Sequence, residues 1–185
     1  ITGFAIVSGD RHSFWAGYAA SRLPPARFEP VGISFVGASL ASPGAMEAFE
    51  HSLRKDHPLR SLFLADRPGG KPEWTYNMLL KHGVRSCLEY AKSFDLKRAH
   101  AVSNPKLSPH LEFVDMGGHG YATVRLTSDE MRTEFVCIPR PITRSDRPDG
   151  GPLRYRVVHT AALWKPGERP VLRQQVIEGD PGLSI

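Results

Sequence analysis

The sequence predicts an α/β fold that passes into an antiparallel, strand-rich end. Three observations carry this. Phe4-Ala5-Ile6-Val7 is an unbroken apolar run, short enough for a strand and apolar on both faces, as strands buried in α/β sheets are. Residues 76–91 place Tyr76, Leu79, Leu80, Gly83, Val84, Cys87, Leu88 and Ala91 at spacings of three and four, the face of a helix that covers a sheet. From Asn104 to Ile138 the pattern changes to short alternating segments, whose connections are too short for a parallel crossover. Residues 1–100 therefore read as an α/β part and residues 101–185 as an antiparallel strand-rich part of one domain.

Composition supports a single globular unit. The chain has 185 residues, 41% hydrophobic and 23% charged, which is enough to bury a substantial core. A net charge of +5 suits anionic substrates. The basic residues are scattered and form no recognition module, so dedicated nucleic-acid binding is not expected. Cys87 and Cys137 make neither a disulfide framework nor a zinc knuckle. Cys87 lies on the apolar helix face, where a buried thiol is expected. No run is long and apolar enough to cross a bilayer. The chain opens without Met, directly on a core-like strand, and reads as a piece whose N-terminal part lies elsewhere.

The elements follow in order. After Trp15, Ala16-Gly17-Tyr18-Ala19-Ala20 reads as a helical turn that Leu23-Pro24-Pro25 ends. Val31, Ile33 and Phe35 alternate with small residues as a strand. A loop of small residues follows, with Ser42 as N-cap and Pro43 at the first position of a helix reaching about Leu53. Lys55 to Pro72 is irregular and polar. The helix over 76–91 takes Thr75 as its cap, with His82 solvated off the apolar face. Strands follow at Leu111–Met116, Tyr121–Leu126 and Met131–Ile138, arranged as a meander. Pro139–Pro152 is a loop. Two more strands, near Leu153–Trp164 and Val171–Ile177, are joined by a turn at Lys165–Glu168. The tail from Gly179 reads as frayed.

The chemistry is concentrated in Ser8-Gly9-Asp10-Arg11-His12-Ser13-Phe14-Trp15. Gly9 ends the first strand, and ligands of open α/β sheets bind beyond the carboxyl ends of strands. Asp10 and His12 are two positions apart, so in extended chain an anionic oxygen and an imidazole nitrogen point the same way, as a metal ion requires. The plainer alternative is a turn in which the two merely hydrogen-bond. Arg11, between them, faces either substrate or an ion-pair partner. Trp15 either walls the pocket or joins the core. His119, in Gly117-Gly118-His119-Gly120, either approaches substrate or is a solvated turn residue.

The segment Ser8–Ala16 resembles the Gly-Asp-x-His segment of the alkaline phosphatase D (PhoD-like) metallophosphatases. Ile33–Val36 with Ser39–Gly44 resembles that family's strand and Ser-Pro-containing loop. Asn104-Pro105 with His110–Asp115 resembles its Asn-Pro-His block, here interrupted by Lys106–Pro109. His119-Gly120-Tyr121 resembles the start of its next strand. The four blocks occur in order over about residues 4–138, and the strands from Leu153 onward match no further block.

The resemblance implies a calcineurin-like two-sheet sandwich flanked by helices, of which this chain is the C-terminal half. It implies hydrolysis of phosphate monoesters or diesters, two metal ions (iron and calcium), Asp10 and His12 as metal ligands, and a periplasmic or extracellular location. The remaining ligands are expected from an N-terminal part of the same enzyme, preceding this chain or present as a separate one. A non-catalytic strand-rich binding or interaction domain is the alternative reading, and a nuclease a third.

Overall fold

The computed structural model describes residues 2–140, 144–147 and 151–185. The first apolar run is strand β1, Ala5–Ser8, and it pairs in parallel with β3, Glu29–Val36. Between them in sequence lies β2, Phe14–Arg22, antiparallel to β3 on one side and to β4, Leu111–Asp115, on the other. The first sheet is therefore ordered β1-β3-β2-β4. The second is antiparallel throughout: β5, His119–Leu126; β6, Glu130–Ile138; β7, Tyr155–Ala162; β8, Arg173–Gly179.

The sheets meet face to face across one core. Phe14, Ala16, Ile33, Phe35 and Phe113 enter from the first, and Met131, Phe135, Cys137, Tyr155, Val157 and Ala161 from the second. In each strand these are alternate residues, as a half-buried pleat demands. Phe135 sits at the centre, with its ring centroid 4.9 Å from Phe14, 5.7 Å from Phe113, 6.3 Å from Phe35 and 5.0 Å from the His159 imidazole.

The other face of the first sheet carries the helices: α1, Ala45–Ser52; α2, Arg60–Phe63; α3, Tyr76–His82; α4, Val84–Ser93; α5, Leu96–Ala101. Met46, Leu64 and Trp74 pack there on Val114 and Met116. The outer face of the second sheet carries Arg132, Glu134 and Arg156, ion-paired at 3.4 and 3.1 Å; such a face can remain in water. The molecule is thus mixed α/β, with two four-stranded sheets and helices. Among the described residues no helix is long and apolar enough to cross a membrane.

Several local expectations change. Ala16–Ala20 is not a helical turn but the middle of β2. A side chain on Gly17 would lie 2.0 Å from the His110 carbonyl oxygen, so small residues here let β2 fit between two neighbours, and that pairing overrides alanine's preference for helix. The N-cap of α1 is Gly44 rather than Ser42; the Glu47 carboxylate reaches back to accept its N–H at 2.7 Å.

The helix over 76–91 is two helices, broken at Gly83, whose φ of +93° an L side chain rarely adopts. The break changes the phase of the buried face: Ser86, Cys87 and Tyr90 are buried in α4, while Val84 and Leu88 are exposed. His82 is not solvated; it is half-buried, with Nδ1 2.9 Å from Ser103 Oγ.

β4 and β5 do not form a hairpin. Met116-Gly117-Gly118 carries the chain from the first sheet to the second. A Cβ on Gly117 would fall 1.7 Å from the Trp74 ring, and one on Gly118 2.7 Å from the Phe14 ring, so both glycines are required by close packing at an inter-sheet corner. The tail is not frayed: Gly182–Ser184 forms a 3-10 turn with Leu183 and Ser184 buried. Of the expected Pro139–Pro152 loop, residues 141–143 and 148–150 lie outside the described residues. Cys87 and Cys137 are both buried free thiols.

Candidate functional site

Because β1 and β3 are parallel, the loops that follow them leave from the same end of the sheet. The Gly37 N–H donates to Ser8 O at 2.8 Å and holds the two exits together. Residues 9–13 follow β1, and residues 37–44 follow β3 on the way to α1.

The 9–13 segment is not extended, contrary to the alternation expected from sequence. Asp10 and Arg11 form a turn, and His12 takes a left-handed conformation with φ +48°, uncommon for a residue with a side chain. The turn is fixed from within: Ser13 Oγ donates to the Arg11 carbonyl at 3.1 Å, and Trp15 Nε1 donates to Ser13 Oγ at 2.7 Å.

His12 is half-buried, with Nδ1 3.0 Å from the Pro43 carbonyl oxygen. A carbonyl can only accept, so in that bond Nδ1 carries the proton and the Nε2 lone pair is free. This is how metal-binding imidazoles are characteristically held, with the second nitrogen tied to a carbonyl that sets tautomer and ring orientation. The contact depends on Gly44: a Cβ there would come within 2.9 Å of the His12 carbonyl. Asp10 is exposed on the same turn. The turn of the plainer alternative does form, though among the described residues no hydrogen bond joins Asp10 to His12.

Arg11 is exposed, its guanidinium 5.5 Å from the Trp15 ring centroid. The ion pair expected as its alternative is not made among the described residues. Arg11, Trp15 and His110 line one groove of about 340 Å³ on the outer face of the first sheet. Trp15 packs against the helix-side cluster and walls this groove, whose lining includes neither Asp10 nor His12.

His119 is 3% exposed, so it is not a solvated turn residue. Its Nε2 lies 3.2 Å from Glu47 Oε1 in the first turn of α1. Glu47 also accepts from Arg140 at 2.7 Å, and Arg140 reaches Glu50 at 3.1 Å. Burial pushes the Glu47 carboxyl up, but the hydrogen bonds from Arg140 and the Gly44 N–H, with the nearby His119, outweigh it and hold the group below the usual carboxylate range. His119 is thus a buttress under α1, linked to the His12 turn through Glu47 and Gly44.

Sequence reasoning missed the group behind this buttress. The Arg140 guanidinium stacks on Trp74 at 4.2 Å, and Arg154 approaches the same indole at 5.7 Å. Beneath them Asp115 is fully buried, accepting from Tyr155 Oη at 2.8 Å and lying 3.5 Å from Arg154. Burial and the Asp115 charge raise the Tyr155 hydroxyl well above its ordinary value. Trp74, Arg140 and Arg154 line a cleft of about 840 Å³. The alternating pattern of β4 and β7 announces Asp115 and Tyr155 as inward-facing, but no local signal pairs them.

Asp10 and His12 lie on one turn, and among the described residues no group of three or more His, Cys, Asp or Glu side chains is placed to hold a metal ion. No family model, curated protein or solved structure matches the chain.

Proposed function

We propose that this chain is part of a metal-dependent phosphate-ester hydrolase of the PhoD-like type, with a calcineurin-like fold, in which Asp10 and His12 are two of the metal ligands. The observation that carries the reading is the Nδ1 bond of His12 to Pro43 O, which leaves Nε2 available at the carboxyl end of a parallel strand pair. Two opposed sheets with helices outside agree with it, as does the order of the four sequence blocks.

In this reading metal ions, iron and calcium by resemblance, supply charge for the phosphate oxygens and lower the pKa of a bound water. The chain's own residues do the rest. Pro43 O fixes the His12 tautomer. Ser13 and Trp15 hold the turn, and Asp10 adds a carboxylate oxygen. Arg11, exposed beside the turn, offers a guanidinium that matches a phosphate in shape and charge. The ligands that complete the centre come from another polypeptide segment.

The test is equilibrium dialysis against an excess of iron(II) or calcium(II) high enough to fill a partial site of two donors, on the wild-type chain and on Asp10→Asn and His12→Ala. More metal on the wild type than on either variant is the expected outcome. Equal metal content in all three overturns the reading in favour of a non-catalytic binding domain.

A further inference from the structure

At the far end of β2 the chain gathers positive charge. Arg22 closes the strand, Arg27 lies in the connection to β3, and Arg169 lies in the segment that leads to β8. All three are exposed, and with Glu29 they line one pocket of about 290 Å³. One carboxylate thus faces three guanidiniums. Its hold on them is weak: Glu29 Oε2 is 3.7 Å from Arg22 Nε, with the two side chains 54% and 71% exposed, a geometry worth little in water. Among the described residues neither Arg27 nor Arg169 makes an ion pair.

The three arginines arrive from separate stretches of chain, and contacts below the surface hold those stretches together. Arg22 and Glu29 are cross-strand partners in the β2–β3 ladder, and Ser21 Oγ donates to the Glu29 carbonyl at 3.4 Å. The Phe28 ring, next to Arg27, meets the Tyr18 ring edge to face at 6.1 Å. The Tyr18 hydroxyl accepts the Leu172 N–H at 3.1 Å, which ties the segment carrying Arg169 to β2. Like charges gathered in this way repel one another unless an anion sits among them. A carboxylate brings one charge and two oxygens, which a single guanidinium fork satisfies. A phosphate dianion brings the two charges that Glu29 leaves unmatched, and oxygens for forks arriving from three directions.

We propose that this pocket is a binding site for a phosphate dianion, free or as the terminal group of a small ester, held between Arg22, Arg27 and Arg169. The length of β2 separates it from the Asp10–His12 turn: nine residues at about 3.3 Å each put roughly 25 Å between them. It is therefore a phosphate site apart from the proposed metal centre, and it stands whether or not that centre does. Occupancy ties the β2–β3 connection to the lead-in of β8 and stiffens the end of the sandwich opposite the turn.

The probe is inorganic phosphate, titrated into the chelator-treated full chain at constant ionic strength and at a pH where the dianion dominates. The readout is amide NMR. The Arg22, Arg27, Glu29 and Arg169 signals shift saturably, and chloride does not reproduce the shift. Arg27→Gln and Arg169→Gln each weaken binding about fivefold or more. Glu29→Gln, which removes the opposing carboxylate, tightens it about twofold or more. Arg125→Gln, which removes an equal charge from β5, leaves it unchanged. Glycerol phosphate then tells the two sources apart: tighter binding than inorganic phosphate assigns the ester, and equal or weaker binding the free ion. No saturable shift at the four amides, the same shift with chloride, or an equal loss in Arg125→Gln overturns the proposal. The protein carries no metal in this experiment, so its failure and failure of the metal test at Asp10 and His12 are distinguishable.

Discussion

Phe135→Ala is the sharpest test of the face-to-face packing that places the site. The Phe135 ring is fully buried and meets Phe14, Phe35, Phe113 and the His159 imidazole at centroid distances of 4.9–6.3 Å. Three of these neighbours belong to the opposite sheet, so truncation leaves a void where the sheets meet and no single side chain can swing in to fill it. Phe→Ala at such a position costs about 3–5 kcal/mol from lost transfer and the cavity. Loss of edge-to-face and tilted ring pairs, each roughly 0.5–1.5 kcal/mol, puts this site at the upper end. At about 2–4 °C per kcal/mol for a chain of this size, the midpoint falls by roughly 10–20 °C. Urea unfolding followed by far-UV circular dichroism, with Phe135→Leu as a milder control, reads the loss directly. A cost of about 1 kcal/mol or less would refute the argument, because it would mean that the sheets do not share one core.

Two further outcomes follow from particular contacts. Gly117→Ala places a methyl inside the buried Trp74 ring, which Arg140 and Arg154 flank; we expect a loss of about 2 kcal/mol or more, and a urea midpoint unchanged from wild type would contradict the corner. Burial, as the main cause, pushes His82 and His159 from the ordinary imidazole value of 6.5 down to about 4. The unfolded chain takes up protons near pH 6.5 and the folded chain only near pH 4, so their contribution to stability is complete above 6.5 and is lost as pH falls toward 4. His159→Phe, which keeps an aromatic ring against Phe35, Phe113 and Phe135, should flatten that slope in unfolding measured from pH 7.5 to 4; an unchanged slope would remove His159 as a source.

What was legible locally held. The apolar run before Gly9 is a parallel strand with Asp10 and His12 on a turn beyond its carboxyl end, but it lies at the edge of its sheet with Phe4, Ile6 and Val7 exposed, not buried on both faces as its composition predicts. The alternating strands from Leu111 onward lie close to where their period placed them. Failures came where distant chain decided the outcome. Ala16–Ala20 has a helical composition, but β3 and β4 enclose it from both sides. Gly117-Gly118 reads as a hairpin turn until Trp74, some forty residues earlier, is placed against it. The extended conformation expected over Asp10–His12 is replaced by a turn: the Pro43 carbonyl and a left-handed backbone set the His12 ring, and period-two alternation has no part in it. The partners of His119 were illegible because Glu47 and Arg140 are remote in sequence and carry no motif.

The Glu47–Arg140 contact has a consequence for anyone altering the far end of β6. Arg140 follows that strand, yet its guanidinium anchors the helix whose leading glycine accommodates the His12 turn. Disturbing Arg140 therefore loosens the imidazole's backing from the opposite layer of the molecule, so a shift of the His12 ring can originate at a position that never touches it.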